Sequence, residues 1–155
     1  MQGQNYLGIY LSKDRATVLC LGPQAQDVKL LGCFSVSLEE PEQANPQALA
    51  GLIARGCAER QLQFSEAVVA IDCAMFMQHK LHSDFSDQKQ IAATIRFDTE
   101  EALATDISEA AIAFEIAASD QTGSSLNVFT AQRKILSDIL VGLQANNIDP
   151  ISIEP

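Results

Sequence analysis

His79 and His82 are the first residues in this chain that suggest chemistry, because two histidines three positions apart can form part of a metal site. They lie in an extended stretch, however, and side chains three apart on a strand point to opposite faces. The neighbours Gln78, Lys80 and Ser83 supply no third ligand. The sequence therefore predicts two surface histidines and no metal site.

A second group with chemical potential is acidic. Asp98, Glu100, Glu101 and Asp106 lie near the end of a predicted helix, and paired carboxylates can act as a general acid and base. No cleft-forming glycine turn and no nucleophile lie near them in the sequence. A solvated helix face is the favoured interpretation, and docking of a basic partner surface is the alternative.

Motifs for nucleophilic or phosphate chemistry are missing from the sequence. The serines stand in no GxSxG turn, and the chain contains no glycine-rich P-loop. We therefore expect no catalytic residue.

The composition limits the class of protein. The 155 residues correspond to about one domain, and with 47% hydrophobic residues they are no disordered acidic tail. A net charge of −10 repels nucleic acid and anionic membranes. No stretch approaches the ~20 apolar residues of a transmembrane helix, and the N-terminus has no secretory signal pattern. We expect no nucleic-acid partner and no membrane insertion by this segment.

The four cysteines follow no zinc-binding or redox spacing. Three lie in apolar strand-like runs and one in a helical run: Cys20, Cys33, Cys73 and, in the helix, Cys57. Buried free thiols in a reducing compartment are the favoured interpretation, with surface disulfides of a secreted domain as the alternative.

Hydrophobic periodicity predicts the order βββαβ, then βαββα, then β. In the third strand, one face is expected to hold Val28, Leu30, Phe34, Val36 and Leu38. Asn45-Pro46 predicts a helix start, and the apolar run Ala67–Ile71 predicts a parallel strand buried on both faces. Ser86 is the expected N-cap of the second helix. Because the last strand ends abruptly at Pro155, we also expect a truncated piece of a longer protein.

Three strings of this sequence resemble cytoplasmic actin-like components of type IV pilus and type II secretion assembly. The opening Tyr6–Ser12 is similar to the first phosphate strand of actin-like ATPases. Ala67–Ile71 followed by Met77–Leu81 is similar to the paired strands after their first helix. The string Ile95–Ile116 resembles a segment of the pilus-assembly M proteins. The family includes the secretion L proteins, and the biogenesis I protein of the mannose-sensitive haemagglutinin (MSHA) pilus is the narrower match.

The resemblance implies an α/β fold: the first half of an actin-like ATPase (ribonuclease H-like) fold with an inserted βαββα subdomain. Residues 1–73 with 148–155 would form the actin-like core subdomain, and 74–147 the inserted one.

The resemblance also implies a phosphate loop, which in actin-like ATPases needs an acid for hydrated Mg²⁺ and a glycine for close approach of phosphate. Its first positions match Gly8 and Ile9, but Tyr10 replaces the acid and Ser12 the turn glycine. The loop is therefore interpreted as degenerate. Lys13 and Arg15 could still attract phosphate, and Asp14 could replace the acid through a shifted turn. An ordinary charged hairpin tip is the favoured alternative. We expect no cofactor here, with ATP bound only by a full-length protein.

The resemblance further implies a groove for a partner's short N-terminal peptide near the seam of the two subdomains. Phe76, Phe97, Leu103 and Phe114 are the candidates to line or support it, although core packing is the favoured role of the segment Met75–Met77. The implied function is a non-catalytic cytoplasmic scaffold, peripheral to the bacterial inner membrane, that links inner-membrane assembly proteins to a motor ATPase. The alternatives are an ATP-binding half of an actin-like ATPase or cell-division protein, and a small-molecule-binding α/β domain.

Overall fold

A computed structural model describes residues 4–24, 27–40 and 45–155. The described residues divide into two compact units. One comprises the residues up to Met75 together with Ile135–Pro155, and the other comprises Phe76–Lys134.

The first unit is built on a five-stranded sheet with the order β3-β2-β1-β4-β8. β1 pairs antiparallel with β2 and parallel with β4, and β8 continues the parallel part. The elements of this unit are β1 (Tyr6–Leu11), β2 (Arg15–Gln24), β3 (Asp27–Ser37), α1 (Pro46–Glu59), β4 (Glu66–Ile71), a 3₁₀ turn (Cys73–Met75) and β8 (Pro150–Glu154).

Helix α1 covers one face of this sheet because its apolar stripe repeats at helical spacing. The Asn45 side chain caps its first turn by accepting from the backbone N–H of Gln47 at 2.9 Å. Gly56 brings the helix onto Phe34 of β3, since a β-carbon at Gly56 would lie 2.2 Å from the ring. The Arg60 guanidinium stacks 4.5 Å above the centre of the same ring.

The second unit is a three-stranded antiparallel sheet, β5-β7-β6, with one helix. Its core joins Ile91 and Ile95 of the helix to Leu126 and Val128 of the central strand. The elements are β5 (Met77–Ser83), α2 (Gln88–Leu103), β6 (Ala110–Asp120) and β7 (Gly123–Gln132).

The predicted order of elements is confirmed, but the units differ from the predicted subdomains in one element. Helix α3 (Arg133–Ala145) was assigned to the inserted subdomain, whereas Ile135–Ala145 belong to the first unit. Gly142 gives the reason. A β-carbon there would lie 3.2 Å from the backbone of Pro46 and Gln47, so α3 packs closely on the start of α1.

The predicted face of β3 was wrong for two residues. The register shifts between Cys20 and Leu21 of β2, where Gly32 pairs with Cys20 and Leu30 pairs with Leu21. One extra residue in a strand moves all following side chains to the other face. Phe34 is therefore buried under α1, whereas Val28 is 61% exposed and Leu30 is 57% exposed.

Two smaller expectations are also corrected. In β4, Ala67, Val69 and Ile71 are buried but Val68 and Ala70 are only half-buried, so one face alone is fully covered. The N-cap of α2 is Asp87 rather than Ser86, because the Asp87 carboxylate accepts from the N–H groups of Lys89 and Gln90 at 3.1 Å each.

Candidate functional site

The turn between β1 and β2 is the candidate phosphate loop, and backbone hydrogen bonds hold it in a tight conformation. The Ser12 N–H donates to the Arg15 carbonyl at 2.8 Å, and the Ser12 hydroxyl donates to the same oxygen at 3.2 Å. The Leu38 N–H donates to the Asp14 carbonyl at 2.8 Å. Because the Ser12 N–H is hydrogen-bonded within the turn, it is not available to bind a ligand.

Gly8 lies in the middle of β1 rather than in this turn. A β-carbon at Gly8 would lie 3.3 Å from the side chain of Leu19 on β2. The glycine therefore accommodates Leu19, and the close approach of a phosphate is not needed to explain it.

Tyr10 and Asp72 meet at the carboxyl ends of the two parallel strands β1 and β4. The Tyr10 hydroxyl donates to one oxygen of the Asp72 carboxylate, and the other oxygen accepts from the Ala74 N–H at 2.8 Å. The Asp72 N–H in turn donates to the Leu11 carbonyl at 2.9 Å. This hydrogen bond from Tyr10 lowers the pKa of Asp72 and raises the pKa of Tyr10. Tyr10, which stands where the motif has an acid, thus donates its hydroxyl hydrogen bond to the nearby carboxylate of Asp72.

Sequence reasoning missed Asp72. The available signal was an acidic residue directly after a predicted buried parallel strand, because ligand sites of α/β sheets form at the carboxyl ends of such strands.

The turn's charged residues offer little to a metal ion. Lys13 is exposed at the tip, and the half-buried Asp14 accepts from the Ser12 hydroxyl at 3.4 Å. In residues 4–24, 27–40 and 45–155, no three His, Cys, Asp or Glu side chains come together as metal ligands.

The two histidines of β5 contact different partners. His79 Nε2 lies 3.1 Å from the Thr130 hydroxyl, and His82 Nε2 lies 3.2 Å from the Thr122 carbonyl. Two residues of the acidic group accept local hydrogen bonds: Asp98 from the Thr94 hydroxyl and Asp106 from the Ser108 N–H, each at 2.8 Å.

The four candidate groove residues do not line one surface of their unit. Phe114 packs against the core beneath α2. Phe76 meets Phe129 edge to face, with ring centres 5.8 Å apart, and Phe129 alternates with the buried Val128, so it points away from α2. Phe97 lies on the outer side of α2 and is 69% exposed. Leu103 is half-buried at the end of that helix. Only Phe97 is presented as a large free apolar side chain.

Comparison with solved structures identifies the fold. The chain matches a structure of a PilM-PilN type IV pilus biogenesis complex with a TM-score of 0.81 and 16% identity, over 96% of this chain and 46% of that chain. It also matches the cytoplasmic domain of EpsL, an inner-membrane component of the type II secretion system of Vibrio cholerae. That match has a TM-score of 0.66 and 14% identity, over 97% of this chain and 57% of that chain. The chain has the actin-like α/β fold.

The predicted fold class is thus confirmed, and these structures come from the two assembly systems that the resemblance named. The chain spans about half the length of the two structures. No family model matches the chain, and no curated protein matches it. None of the described helices combines the length with the hydrophobicity that a membrane-spanning helix requires.

Proposed function

We propose that this actin-like chain is a non-catalytic cytoplasmic scaffold of a type IV pilus or type II secretion assembly at the bacterial inner membrane. The observation that carries the proposal is the match over 96% of the chain to the PilM-PilN complex. The match to the EpsL cytoplasmic domain supports the same class. Assignment to the MSHA pilus is the narrower form of the proposal.

The partners in this proposal are an inner-membrane assembly protein and a motor ATPase. The PilM-PilN structure is a complex between two assembly proteins, which supports a protein partner for this chain as well. Phe97 is the best available contact, because its exposed ring on α2 packs against no core residue. An exposed aromatic ring is a common anchor of protein interfaces.

The non-catalytic part of the proposal rests on Tyr10 and Asp72. An actin-like nucleotide site needs a free carboxylate for hydrated Mg²⁺ near this turn, and here the Asp72 carboxylate is engaged by the Tyr10 hydroxyl. The Ser12 N–H is likewise engaged by Arg15. A second candidate, an ATP-binding half-module, is favoured by the exposed Lys13 and Arg15, whose cations could attract phosphate.

Two measurements test the proposal. Affinity capture with the tagged full-length protein, followed by identification of the bound proteins, should recover a known inner-membrane component of a pilus or secretion system. The variant Phe97→Ser should recover less of it, while the control Val141→Ser, at a residue 51% exposed on α3, should recover as much as the wild type.

Calorimetry of the full-length protein with Mg-ATP should show no micromolar binding. Micromolar binding with release of phosphate would overturn the non-catalytic reading and favour the ATP-binding candidate. Capture of no pilus or secretion component would overturn the scaffold itself, and equal capture by Phe97→Ser would remove only its contact residue.

A further inference from the structure

Arg96 and Arg133 bring two guanidinium groups to one carbonyl oxygen in the unit Phe76–Lys134. Arg96 Nη2 donates to the Ala110 carbonyl at 3.0 Å, and Arg133 Nη2 donates to the same oxygen at 3.3 Å. Arg96 Nη1 also donates to the Ile107 carbonyl at 2.9 Å. Both arginines are exposed. Two of the ten cationic side chains of this chain thus converge on a single point.

The hydrogen bonds described for this pair go to backbone carbonyl groups. The ion pairs Arg60–Glu59 and His82–Asp84 involve neither arginine. The nearby Asp106 instead accepts from the Ser108 N–H at 2.8 Å, and hydrogen bonds from Ser108 alone hold the pKa of Asp106 below its usual range. Two like charges this close repel each other unless an anion lies between them.

The position of Arg133 adds to the positive potential. It is the first residue of α3, and the first turn of this helix contains no acidic residue. The N-terminal end of a helix carries a partial positive charge and normally favours acidic residues. The sequence therefore places cations where helix electrostatics favours an anion.

We propose that Arg96 and Arg133 form a docking site for a carboxylate on an acidic segment of a partner protein. Each guanidinium has five N–H donors in a planar fork, and the three hydrogen bonds to carbonyls leave most of them free to bind a carboxylate with two parallel bonds. This site is independent of whether the chain binds a nucleotide, and it adds a contact to the scaffold proposed above.

The net charge of the chain selects a short acidic segment over a polyanion. At −10, the molecule repels nucleic acid and anionic membrane surfaces as a whole. A single carboxylate feels mainly the two nearby guanidinium groups, because salt screens charges beyond ~8 Å at physiological ionic strength. A partner segment with one or two Glu or Asp side chains therefore fits this site best.

The test is fluorescence anisotropy with a fluorescein-labelled peptide of glycine and serine that carries two glutamates as the probe. We expect the wild type to bind it at low salt, and the double variant Arg96→Gln/Arg133→Gln to bind it at least ~10-fold more weakly. The matched control Lys29→Gln/Arg55→Gln makes the same change in net charge at two exposed cationic residues elsewhere, and it should bind within about twofold of the wild type.

Folding and the type of anion need their own controls, because Arg96 also supports the Ile107 and Ala110 carbonyls. The double variant Arg96→Lys/Arg133→Lys keeps both charges but loses the planar forks, so we expect an intermediate affinity and a thermal transition close to the wild type. The docking site is refuted if the two Gln double variants lose affinity for the peptide to the same extent. It is also refuted by displacement of the probe with inorganic phosphate at equal concentration, which indicates a small-anion site.

Discussion

The Tyr10 hydroxyl donates a hydrogen bond to the Asp72 carboxylate across the parallel strands β1 and β4. Ladder pairing aligns Tyr10 with Ala70, and Asp72 follows two residues later on the same face of the sheet. The pair therefore depends on the register of two strands that are far apart in the sequence. It lies at the carboxyl ends of the two strands, beside the turn for which the resemblance predicts a degenerate phosphate loop.

Replacing Tyr10 by Phe should raise the pKa of Asp72. The hydrogen bond from Tyr10 is the largest cause of the lowered value, and the Ala74 N–H keeps part of the shift. Because the folded pKa lies below the ordinary 3.8, the carboxylate stabilises the wild type above that pH and loses this contribution as the pH falls through the folded value. Titration of the Asp72 carboxyl carbon by NMR measures the change.

The reciprocal effect appears at high pH. The pKa of Tyr10 is raised above its ordinary 10.0, so the bond stabilises the protein below pH 10 and is lost as the pH rises through the folded pKa of Tyr10. Asp72→Asn should return the Tyr10 titration, followed by ultraviolet absorbance, towards its ordinary range. An unchanged Tyr10 titration in this variant would contradict the pair.

Replacing Tyr10 by Asp should create a response to divalent cations. The new carboxylate would stand beside Asp72, and two adjacent carboxylates repel each other unless one is protonated or a cation binds between them. We expect millimolar Mg²⁺ to raise the melting temperature of Tyr10→Asp but not of the wild type, because a ligand that binds only the folded state stabilises it. The control Tyr10→Asn has no added charge, and an equal response in this control would point to a general salt effect.

Two glycines of α1 should respond in opposite directions to alanine. At Gly56 the added β-carbon would lie 2.2 Å from the Phe34 ring, so the helix or the ring must shift. We expect Gly56→Ala to lower the free energy of unfolding by about 1–3 kcal/mol.

At Gly51 the nearest atom to an added β-carbon is Asn146 Oδ1 at 4.0 Å, which is ordinary contact. The backbone entropy of glycine is then the main difference, and Gly51→Ala should raise the free energy of unfolding by roughly 0.5–1 kcal/mol. Urea denaturation of both variants measures these changes. A gain from Gly56→Ala would show that α1 does not pack on Phe34 as described.

The sequence predicted the helices and strands better than it predicted the strand register and the exact helix boundaries. Apolar periodicity identified β1, α1 and α2 because each places its apolar side chains on one face. It could not predict the extra residue Leu31 in β3, since Val28, Leu30, Phe34 and Val36 alternate as they would in an unbroken strand. The N-cap of α2 was misplaced by one residue because Ser86 and Asp87 are both good caps. Only the backbone geometry selects Asp87.

The candidate site shows the same limit. The turn residues Tyr10 and Ser12 could be read as departures from a motif because the motif is local. Asp72 is 62 residues away from Tyr10, and no local pattern joins the two. The partners of Arg96 are likewise backbone carbonyl groups, of Ile107 in the next loop and of Ala110 at the start of β6, and the sequence gives no means to locate them.

The four cysteines should separate into two fast and two slow thiols. The expectation that all four are buried was wrong, because Cys33 and Cys73 are exposed while Cys20 and Cys57 are buried. Cys33 pairs with the exposed Leu19 on the outer face of the sheet, and Cys73 lies in the 3₁₀ turn after β4. Burial raises the pKa of the Cys20 and Cys57 thiols, which lowers their thiolate fraction as well as their access to reagent.

With Ellman's reagent at pH 8, we expect two thiols to react rapidly in the native protein and the remaining two only on unfolding. The variant Cys33→Ser/Cys73→Ser should lose the fast phase and keep the slow one. Cys20→Ala removes a buried thiol and leaves both exposed thiols unchanged, so it should keep the full fast phase. Because it also opens a cavity beneath α1, it tests whether the fast phase depends on the packing of the core. Four equally fast thiols in the folded wild type would contradict the packing of α1 on β2 and β3.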